Sequence, residues 1–354
     1  MAESYTARVV EVIPETEDAH SVVLEVADQE AFGYKPGQFL TVAVPSDRTG
    51  TVARCYSLSS APHETDLLKI TVKRTVEGYG SNWICDNLLE GHEIRVLPPS
   101  GIFTPTDLDA DFLLFAGGSG ITPVISIAKS ALALGSGKVV LLYANRDERS
   151  VIFARELTEL AQKHPDRFVV VHWLESVQGL PTPEHMRAFA EHFTSYDAFV
   201  CGPGPFMSGV VQTLKDLGFP RERRHQEKFV SLGGNPFGDQ VEDVSTDDDE
   251  DAAAEATPAG RTAPATLVGE LDGRSFEFDD WPADKPILDH LLDKGLQAPF
   301  SCREGQCSAC ACRVLEGEVT MMHNEVLDDE DLADGIRLAC QSLPVSDSVR
   351  ISYE

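Results

Sequence analysis

Four of the eight cysteines have a spacing that restricts the fold more than any other feature of the chain. Cys302, Cys307 and Cys310 follow the pattern C-x4-C-x2-C, and 29 residues separate Cys310 from Cys340. The chain carries a net charge of −29, and it does not start with a basic segment followed by an apolar one. We therefore expect an intracellular protein, in which structural disulfides are rare. The four thiols are predicted to bind a metal centre, which requires a loop and a distant strand to meet.

The spacing matches the ligand pattern of a [2Fe–2S] cluster, with Cys302, Cys307, Cys310 and Cys340 as ligands. Small residues between them let backbone N–H groups point at the sulfurs, which tunes the reduction potential. A zinc ribbon has paired C-x2-C units, and only one such unit occurs here, which argues against zinc. Cys312 lies at the start of an apolar run and is interpreted as a buried small side chain rather than a ligand.

Changes in hydrophobic pattern divide the chain into four parts. Residues 1–107 contain short alternating runs separated by Pro, Gly and Asp, which predict an antiparallel β-barrel. Residues 108–236 alternate short apolar runs with helical stretches, which predicts a doubly wound α/β domain. Residues 237–264 predict an extended linker, because 239–255 hold nine acids and no base. Docking of this acidic stretch to a basic partner is the alternative. Residues 265–354 predict a compact α+β unit that carries the cysteines.

The acidic composition excludes two classes of function. With 58 acidic against 29 basic residues, the chain should repel a phosphate backbone, so we expect no nucleic-acid partner. The longest uncharged stretch, Phe112–Ala128, is interrupted by Gly and Pro, so we expect no membrane span. The sequence therefore predicts a cytoplasmic protein, and we expect a monomer. An adaptation to high salt is an alternative explanation of the acidity.

Two glycine-rich loops in the α/β part each follow a predicted strand and open a helix. The first loop is Gly118-Ser119-Gly120-Ile121-Thr122-Pro123. In it, Thr122 is the predicted N-cap of the helix and Pro123 is the predicted first helical residue. Glycines at such a turn let the backbone approach a diphosphate at the helix N-terminus. The second loop is Cys201-Gly202-Pro203-Gly204-Pro205-Phe206-Met207. Each loop alone has an ordinary structural explanation.

Two further loops in the barrel part have the chemistry of a nucleotide site. Arg54-Cys55-Tyr56-Ser57-Leu58 offers a guanidinium for phosphate, an aromatic face for a flat ring, and a hydroxyl. Gly78-Tyr79-Gly80-Ser81-Asn82 opens a predicted helix. Tyr56 as barrel core and Ser81 as a helix cap are the structural alternatives. Four such loops in one chain favour nucleotide cofactors.

The cysteine loop, residues 299–310 (PFSCREGQCSAC), resembles plant-type ferredoxin domains, which have a β-grasp fold. The four other loops resemble the ferredoxin–NADP reductase superfamily, which pairs an FAD-binding barrel with a pyridine-nucleotide domain. This resemblance covers about residues 5–235, and the ferredoxin part covers 265–354. The domain order resembles reductase components of multicomponent oxygenases, including the phenylacetyl-CoA epoxidase type and, more closely, the actinobacterial 3-ketosteroid 9α-hydroxylase type. The segments that carry the closer resemblance are Arg54–Leu58, Tyr79–Asp86, Tyr143–Asp147, His172–Gly179 and Cys201–Met207. The long acidic linker departs from that type.

The resemblance implies roles for individual residues. It places the FAD pyrophosphate at Arg54, the isoalloxazine ring at Tyr56, and the N5 edge of that ring at Ser57. Lys73, Gly80 and Ser81 would approach the adenosine-diphosphate part of FAD. The residues implied to lie beside the reacting atoms are Tyr56, Ser57, Thr122 and Cys201. The full set implied to bind cofactors is Arg54, Tyr56, Ser57, Leu58, Lys73, Gly80, Ser81, Gly118, Gly120, Thr122, Gly202, Pro203 and Phe229. For Glu227 and Phe229, closure over the flavin and ordinary strand packing both remain open.

These cofactors imply a path of electrons from NADH to FAD, then to the [2Fe–2S] cluster, and then to a terminal Rieske-type oxygenase. A flavin is needed because a two-electron donor must feed a one-electron carrier. The alternatives are an NAD(P)H reductase that serves another acceptor, such as an epoxidase or a separate ferredoxin, and a non-catalytic iron–sulfur sensor. The acidic ferredoxin part predicts a basic docking surface on the acceptor, and transfer that weakens with salt.

NADH is predicted over NADPH because an acid follows one of the strands of the α/β part. The 2′-phosphate of NADPH requires clustered Arg or Lys, whereas the strand that ends near Trp173 is followed by Glu175. Arg146 and Arg149, which follow the preceding strand, keep NADPH open as an alternative.

Overall fold

The computed structural model describes residues 4–46, 50–64, 67–229, 236–237, 263–271 and 273–353, and the acidic stretch predicted as a linker lies outside these ranges apart from its ends. The described residues form three sheet-based domains in the order predicted from the sequence. Within these ranges, no helix combines the length and apolar character needed to cross a lipid bilayer.

The first domain is an antiparallel barrel. Its strands are β1 (Tyr5–Thr16), β2 (Ala19–Val26), β3 (Phe39–Ser46), β4 (Gly50–Ser57), β5 (Leu68–Lys73) and β6 (Glu93–Val96), with helix α1 (Tyr79–Asn87) between the last two. They pair in the order β4-β3-β6-β1-β2-β5. A bridge between Leu58 and Ile70 joins the two outer strands, so the sheet closes on itself. The alternating apolar side chains fill the interior, where Leu24, Leu40 and Val96 are fully buried.

The second domain has a parallel sheet with helices on both faces. Its strands are β7 (Phe112–Gly117), β8 (Val139–Asn145), β9 (Phe168–Leu174), β10 (Asp197–Cys201) and β11 (Arg224–Glu227), in the order β11-β10-β7-β8-β9. Its helices are α2 (Ile121–Leu134), α3 (Ala154–Lys163), α4 (Glu175–Gln178), α5 (Pro183–Ala190) and α6 (Gly204–Asp216). Separate apolar cores lie on the two faces of the sheet, as expected for a doubly wound fold.

The two edge strands differ from what the sequence pattern predicts. The apolar run of β9 predicts a strand buried on both faces, but Val169 and Val171 are exposed because β9 is an edge strand with one face uncovered. At the other edge, β11 is polar (RHQE) and carries no apolar run, so only the alternative of strand packing at Glu227 anticipated a strand here. Parallel pairing with β10 and side-chain contacts to the third domain hold it in place.

The third domain is a mixed sheet crossed by one main helix. The elements are β12 (Ala265–Leu271), β13 (Arg274–Trp281), α7 (Ile287–Asp293), β14 (Ala311–Glu316), β15 (Val319–Met321), α8 (Asp329–Ala333), β16 (Ile336–Leu338), β17 (Ser342–Pro344) and β18 (Ser348–Ser352). The five-stranded sheet has the order β13-β12-β18-β14-β16, and β15 pairs with β17 in a small separate ribbon. Trp281 and the buried face of α7 form its core. This arrangement agrees with the predicted β-grasp fold.

A buried charge network joins the barrel to the α/β domain. The side chain of Lys129 on α2 is 3% exposed, and its Nζ lies 2.8 Å from Glu64 Oε2 and 3.0 Å from Glu156 Oε1. Lys69 at the start of β5 lies 3.2 Å from the other oxygen of Glu156. Two cations and two carboxylates therefore balance each other across the boundary between the domains. Burial alone would raise the pKa of Glu64, but the hydrogen bond and charge of Lys129 hold that pKa below its ordinary value.

Candidate functional site

The four predicted cluster ligands lie together in the third domain as two pairs of thiols. The sulfurs of Cys302 and Cys307 are 3.2 Å apart, and the thiols of Cys310 and Cys340 are in hydrogen-bond contact with each other. Among the residues that the structure describes, no three His, Cys, Asp or Glu side chains are arranged to hold one metal ion. Two pairs of thiols fit a centre with two irons and two thiolates per iron, and they do not fit a single tetrahedral ion.

Each pair of thiols contains one cysteine whose pKa is lowered and one whose pKa is raised: the hydrogen bond to Cys302 and burial raise the pKa of Cys307, and the hydrogen bond to Cys340 and burial raise the pKa of Cys310. The hydrogen bond from the Cys307 thiol, supported by the backbone N–H groups of Glu304 and Gln306, lowers the pKa of Cys302 to about 6. The pKa of Cys340 is also lowered, first by its hydrogen bond with Cys310. The loop needs Gly305, which has a φ of 74°, because a Cβ there would lie 2.6 Å from the carbonyl oxygen of His323. The donor set and the shape of the loop therefore suit the predicted cluster.

Cys312 lies in β14, opposite Arg337, and packs into the core of the third domain. Burial raises its pKa to about 12, so its thiol stays protonated at neutral pH. This environment agrees with its interpretation as a buried small side chain.

The two glycine-rich loops of the α/β domain pack directly against each other. A Cβ on Gly120 would lie 2.2 Å from the carbonyl oxygen of Cys201, and one on Gly117 would lie 2.8 Å from the ring of Pro203. The loops therefore bring Gly118, Gly120, Cys201, Gly202 and Pro203 to the carboxyl ends of adjacent strands, where open α/β sheets bind ligands.

The predicted helix cap in the first of these loops is wrong. Helix α2 begins at Ile121 with Gly120 as its N-cap, and a short 3-10 turn over Gly118–Gly120 precedes it. Thr122 is therefore the second helical residue, and its hydroxyl donates to the carbonyl oxygen of Ser119 at 3.1 Å. Pro123 at the third position is tolerated because the first N–H groups of a helix have no partner within the helix.

In the barrel, Arg54 and the start of α1 lie side by side. A Cβ on Gly80 would lie 2.8 Å from Cγ of Arg54, so glycine lets the arginine side chain cross the first turn of the helix. Helix α1 begins after Gly78, so Ser81 is its third residue rather than its N-cap, and its hydroxyl accepts from the backbone N–H of Thr75 at 3.1 Å. A guanidinium next to the N-terminal turn of a helix suits a diphosphate.

Lys73, which the resemblance places with Gly80 and Ser81 near the adenosine-diphosphate part of FAD, lies beside the first glycine-rich loop of the α/β domain. Its Nζ is 3.9 Å from the position of a Cβ on Gly118 and 3.7 Å from Asp18 Oδ2. It therefore stands at the boundary between the barrel and the first glycine-rich loop of the α/β domain.

All three domains contribute to one pocket. It is a small pocket that opens to solvent. The lining residues are Phe39, Cys55, Ser57, Glu227, Lys228, Phe229, Gln306, Cys307, Ser308 and Val326. Predicted flavin residues Ser57 and Phe229 therefore lie beside the cluster ligand Cys307. Tyr56 and Leu58 pack with the barrel core instead.

The cysteine loop is docked against the barrel by contacts that the sequence did not reveal. Ser301, which precedes the first ligand, is fully buried, and its hydroxyl lies 2.6 Å from Thr41 Oγ1 on β3. Cys302 and Cys307 pack with Phe39 of the barrel in one apolar cluster. This places the thiols of the third domain directly against the barrel wall.

Glu227 is the acid among the residues that line the pocket. It pairs with Cys201 where β10 and β11 end, and burial raises its pKa to about 8. Phe229, two residues later, is 53% exposed. At neutral pH the Glu227 side chain is therefore mainly a neutral acid facing the junction of the domains.

A second contact between domains is ionic. Asp328, the N-cap of helix α8, accepts a hydrogen bond from the side chain of Gln226 at 2.6 Å. Glu330 on the same helix lies 3.0 Å from Lys215 and 3.2 Å from Arg224. Asp331 forms an ion pair with Arg221. These acids of the ferredoxin part thus contact basic residues of the same chain.

Comparison with known proteins agrees with this architecture. Family models match in three places: an oxidoreductase FAD-binding domain at residues 6–104, an oxidoreductase NAD-binding domain at 114–212, and a 2Fe-2S iron-sulfur cluster binding domain at 270–345. The ferredoxin reductase component of 3-ketosteroid-9-alpha-monooxygenase from Rhodococcus rhodochrous is 55% identical over 97% of this chain and 95% of its own. One of the subunits of the 1,2-phenylacetyl-CoA epoxidase of Escherichia coli is 30% identical over 100% of this chain and 99% of its own.

A solved structure has the same three-part organisation. Phthalate dioxygenase reductase, described as a modular structure for electron transfer from pyridine nucleotides to [2Fe–2S], aligns with a TM-score of 0.55 and 27% identity, covering 99% of this chain and 98% of its own. Full-length matches at this identity, with all three domain types present, identify an electron-transfer oxidoreductase. The chain belongs to the ferredoxin–NADP reductase superfamily, in the group of oxygenase reductases that carry a C-terminal plant-type [2Fe–2S] ferredoxin domain.

Proposed function

We propose that this protein is the NADH-dependent reductase component of a 3-ketosteroid 9α-hydroxylating oxygenase. One observation carries the electron-transfer part of the proposal: β4 of the barrel, the end of β11 and the cysteine loop line a single pocket. The relative at 55% identity supports the choice of acceptor. We further propose domain limits of 1–107, 108–236 and 265–354, with 237–264 as the linker.

The residues of the chain bind and orient the cofactors rather than act as acids or bases on a substrate. When bound, FAD would supply a hydride acceptor for NADH, and the [2Fe–2S] cluster would supply a one-electron carrier. Arg54, Gly80 and the first turn of α1 would hold the FAD diphosphate, with Tyr56 and Ser57 at the ring. The loops at Gly118 and Gly202 would hold the pyridine nucleotide. Cys302, Cys307, Cys310 and Cys340 would hold the cluster.

Contact between Ser301 and Thr41 would keep the cluster close to the flavin and exclude water from the space between them. On the barrel side the pocket is lined by Phe39, Cys55 and Ser57, and on the ferredoxin side by Cys307 and its neighbours. The short separation between these two walls would suit electron transfer from one centre to the other.

NADH is the proposed donor because Arg146, one of the two arginines that keep NADPH open as an alternative, is already paired with an acid. Arg146 follows β8, and its guanidinium lies 2.9 Å from Asp18. Glu175 begins α4 directly after β9. We also propose that one copy of the chain is sufficient and that it works in the cytoplasm, where NADH is available and the thiols stay reduced.

Reconstitution tests the proposal. The purified protein is combined with the oxygenase component of the Rhodococcus rhodochrous 3-ketosteroid-9-alpha-monooxygenase, NADH and a 3-ketosteroid, and the 9α-hydroxylated product is measured. We expect product that depends on all components. A Cys340→Ser variant should still reduce a soluble dye from NADH at the flavin but should give no product. Transfer to an epoxidase component and none to the steroid oxygenase would overturn the choice of acceptor.

A further inference from the structure

The turn between β1 and β2 places an acid of the barrel against the α/β domain. Asp18 Oδ2 lies 2.9 Å from Arg146 Nη2 and 3.7 Å from Lys73 Nζ. Its other oxygen accepts a hydrogen bond from Thr16 Oγ1 at 2.9 Å, and its backbone carbonyl accepts from the N–H of Arg74 at 2.8 Å. The carboxylate is therefore held in position by its own turn, and it faces two cations at once.

Both cations stand at the edge of the sheet where a pyridine nucleotide binds. Arg146 directly follows β8, and Lys73 lies beside Gly118, which directly follows β7. Ligands of open α/β sheets bind outside these carboxyl ends. The backbone N–H of Ser176 donates to the carbonyl oxygen of Arg146 at 2.8 Å, so the residue that follows Glu175 contacts Arg146 directly.

This arrangement bears on the choice between NADH and NADPH. A 2′-phosphate carries close to two negative charges and would need these cations, whereas a free 2′-hydroxyl would not. Asp18 forms ion pairs with both Arg146 and Lys73, and its negative charge would repel a phosphate bound beside them. Discrimination by an unfavourable charge is a common way of achieving specificity.

We propose that Asp18, a residue of the barrel, is a specificity-determining residue that disfavours 2′-phosphorylated nucleotides by neutralising Lys73 and Arg146. The inference rests on the proposed NADH preference and names the group that enforces it. Asp18 acts on binding of the 2′-phosphate and takes no part in hydride transfer.

The test compares the wild type with Asp18→Asn, which keeps the size of the side chain and removes its charge. Inhibition of NADH oxidation is measured with 2′,5′-ADP and with 5′-AMP, which differ only in the 2′-phosphate. Freeing two partly exposed cations should strengthen binding of 2′,5′-ADP about threefold to tenfold, with 5′-AMP nearly unchanged. The KM for NADPH should fall by a similar factor, and the gain should shrink as salt is added.

Two further variants separate specificity from a structural role. Glu17→Gln removes the neighbouring charge of the same turn, and Glu17 is exposed, with no ion pair among the described residues, so the nucleotide preference should not change. Adding Arg146→Gln to Asp18→Asn should remove most of the gain for 2′,5′-ADP. A merely structural tie between the domains would instead change both inhibitors equally.

The outcomes distinguish this inference from the proposal on which it rests. An equal response of 2′,5′-ADP and 5′-AMP to Asp18→Asn, in protein that keeps its FAD content, would overturn the role of Asp18. A wild type that oxidises NADPH more efficiently than NADH would overturn the proposed donor. The change in affinity for 2′,5′-ADP between wild type and Asp18→Asn would still test the role of Asp18.

Discussion

Removing one charge from helix α8 should loosen the ferredoxin domain from the α/β domain. Glu330 lies 3.0 Å from Lys215, 3.2 Å from Arg224 and 3.8 Å from Arg221, so a single carboxylate serves three cations of another domain. The Glu330→Gln substitution keeps the shape of the side chain and weakens all three contacts at once.

The size of the effect follows from how exposed these groups are. The Glu330 side chain is 36% exposed, and ion pairs in such positions contribute about 0.2–1 kcal/mol each. Three contacts at about 0.5 kcal/mol give about 1.5 kcal/mol, which is about a tenfold change in the docking equilibrium. Arg224 keeps its hydrogen bond to the carbonyl oxygen of Phe219, so the variant does not leave that buried guanidinium without a partner.

Anaerobic stopped-flow mixing with NADH measures the effect, because flavin and cluster absorb at different wavelengths. We expect flavin bleaching at the wild-type rate and cluster bleaching up to about tenfold slower, with a weaker dependence on salt than in the wild type. Asp329→Asn is the matched control, since Asp329 is exposed on the same helix and forms no ion pair among the described residues. Equal cluster rates in wild type and Glu330→Gln at low salt would refute the docking role of α8.

Three other predictions concern the remaining contacts between domains and loops. Lys129→Met should cost about 3 kcal/mol, measured by thermal or urea unfolding, because it leaves Glu64 and Glu156 facing each other without their buried cation. The pKa of Glu64 is lower in the folded protein than in the unfolded chain, so ionised Glu64 stabilises the fold at pH values above its ordinary pKa, and this stabilisation is lost as the pH falls through the folded-state pKa. When unfolding is followed at pH 3–6, the free energy of unfolding should therefore fall less steeply with decreasing pH in Lys129→Met than in the wild type. Equal pH dependence in the two proteins would contradict this. Gly120→Ala should weaken NADH binding at least tenfold, measured as KM, because the new Cβ collides with the carbonyl oxygen of Cys201, and an unchanged KM would contradict the close packing of the two loops.

Sequence reasoning predicts this fold well where the signal is local. The C-x4-C-x2-C spacing lies in one loop, and the strand-to-glycine-to-helix pattern at Gly118 and Gly202 spans only a few residues, so both follow from the order of residues alone. The cap of α2 was missed because Ile121 already has helical geometry after the turn at Gly118–Gly120. That turn is set by packing against Cys201, which is remote in sequence.

The contacts between domains could not be predicted in the same way. Three of these contacts join residues more than 100 positions apart: Asp18 with Arg146, Thr41 with Ser301, and Glu330 with Arg224. Nothing in the residues around Asp18 marks it as different from other acids of a strongly acidic chain. The polar strand β11 was anticipated only as an alternative for a related reason, since its side chains serve contacts to the third domain rather than to a core.

The central claim is that one polypeptide carries electrons from NADH through a flavin to a [2Fe–2S] cluster. An anaerobic titration of the purified protein with NADH, followed by its visible spectrum, tests this most directly. We predict that flavin and iron–sulfur bands are both present and that both bleach as NADH is added. Bleaching of the flavin with a cluster that stays oxidised, or a purified protein without either band, would contradict the account.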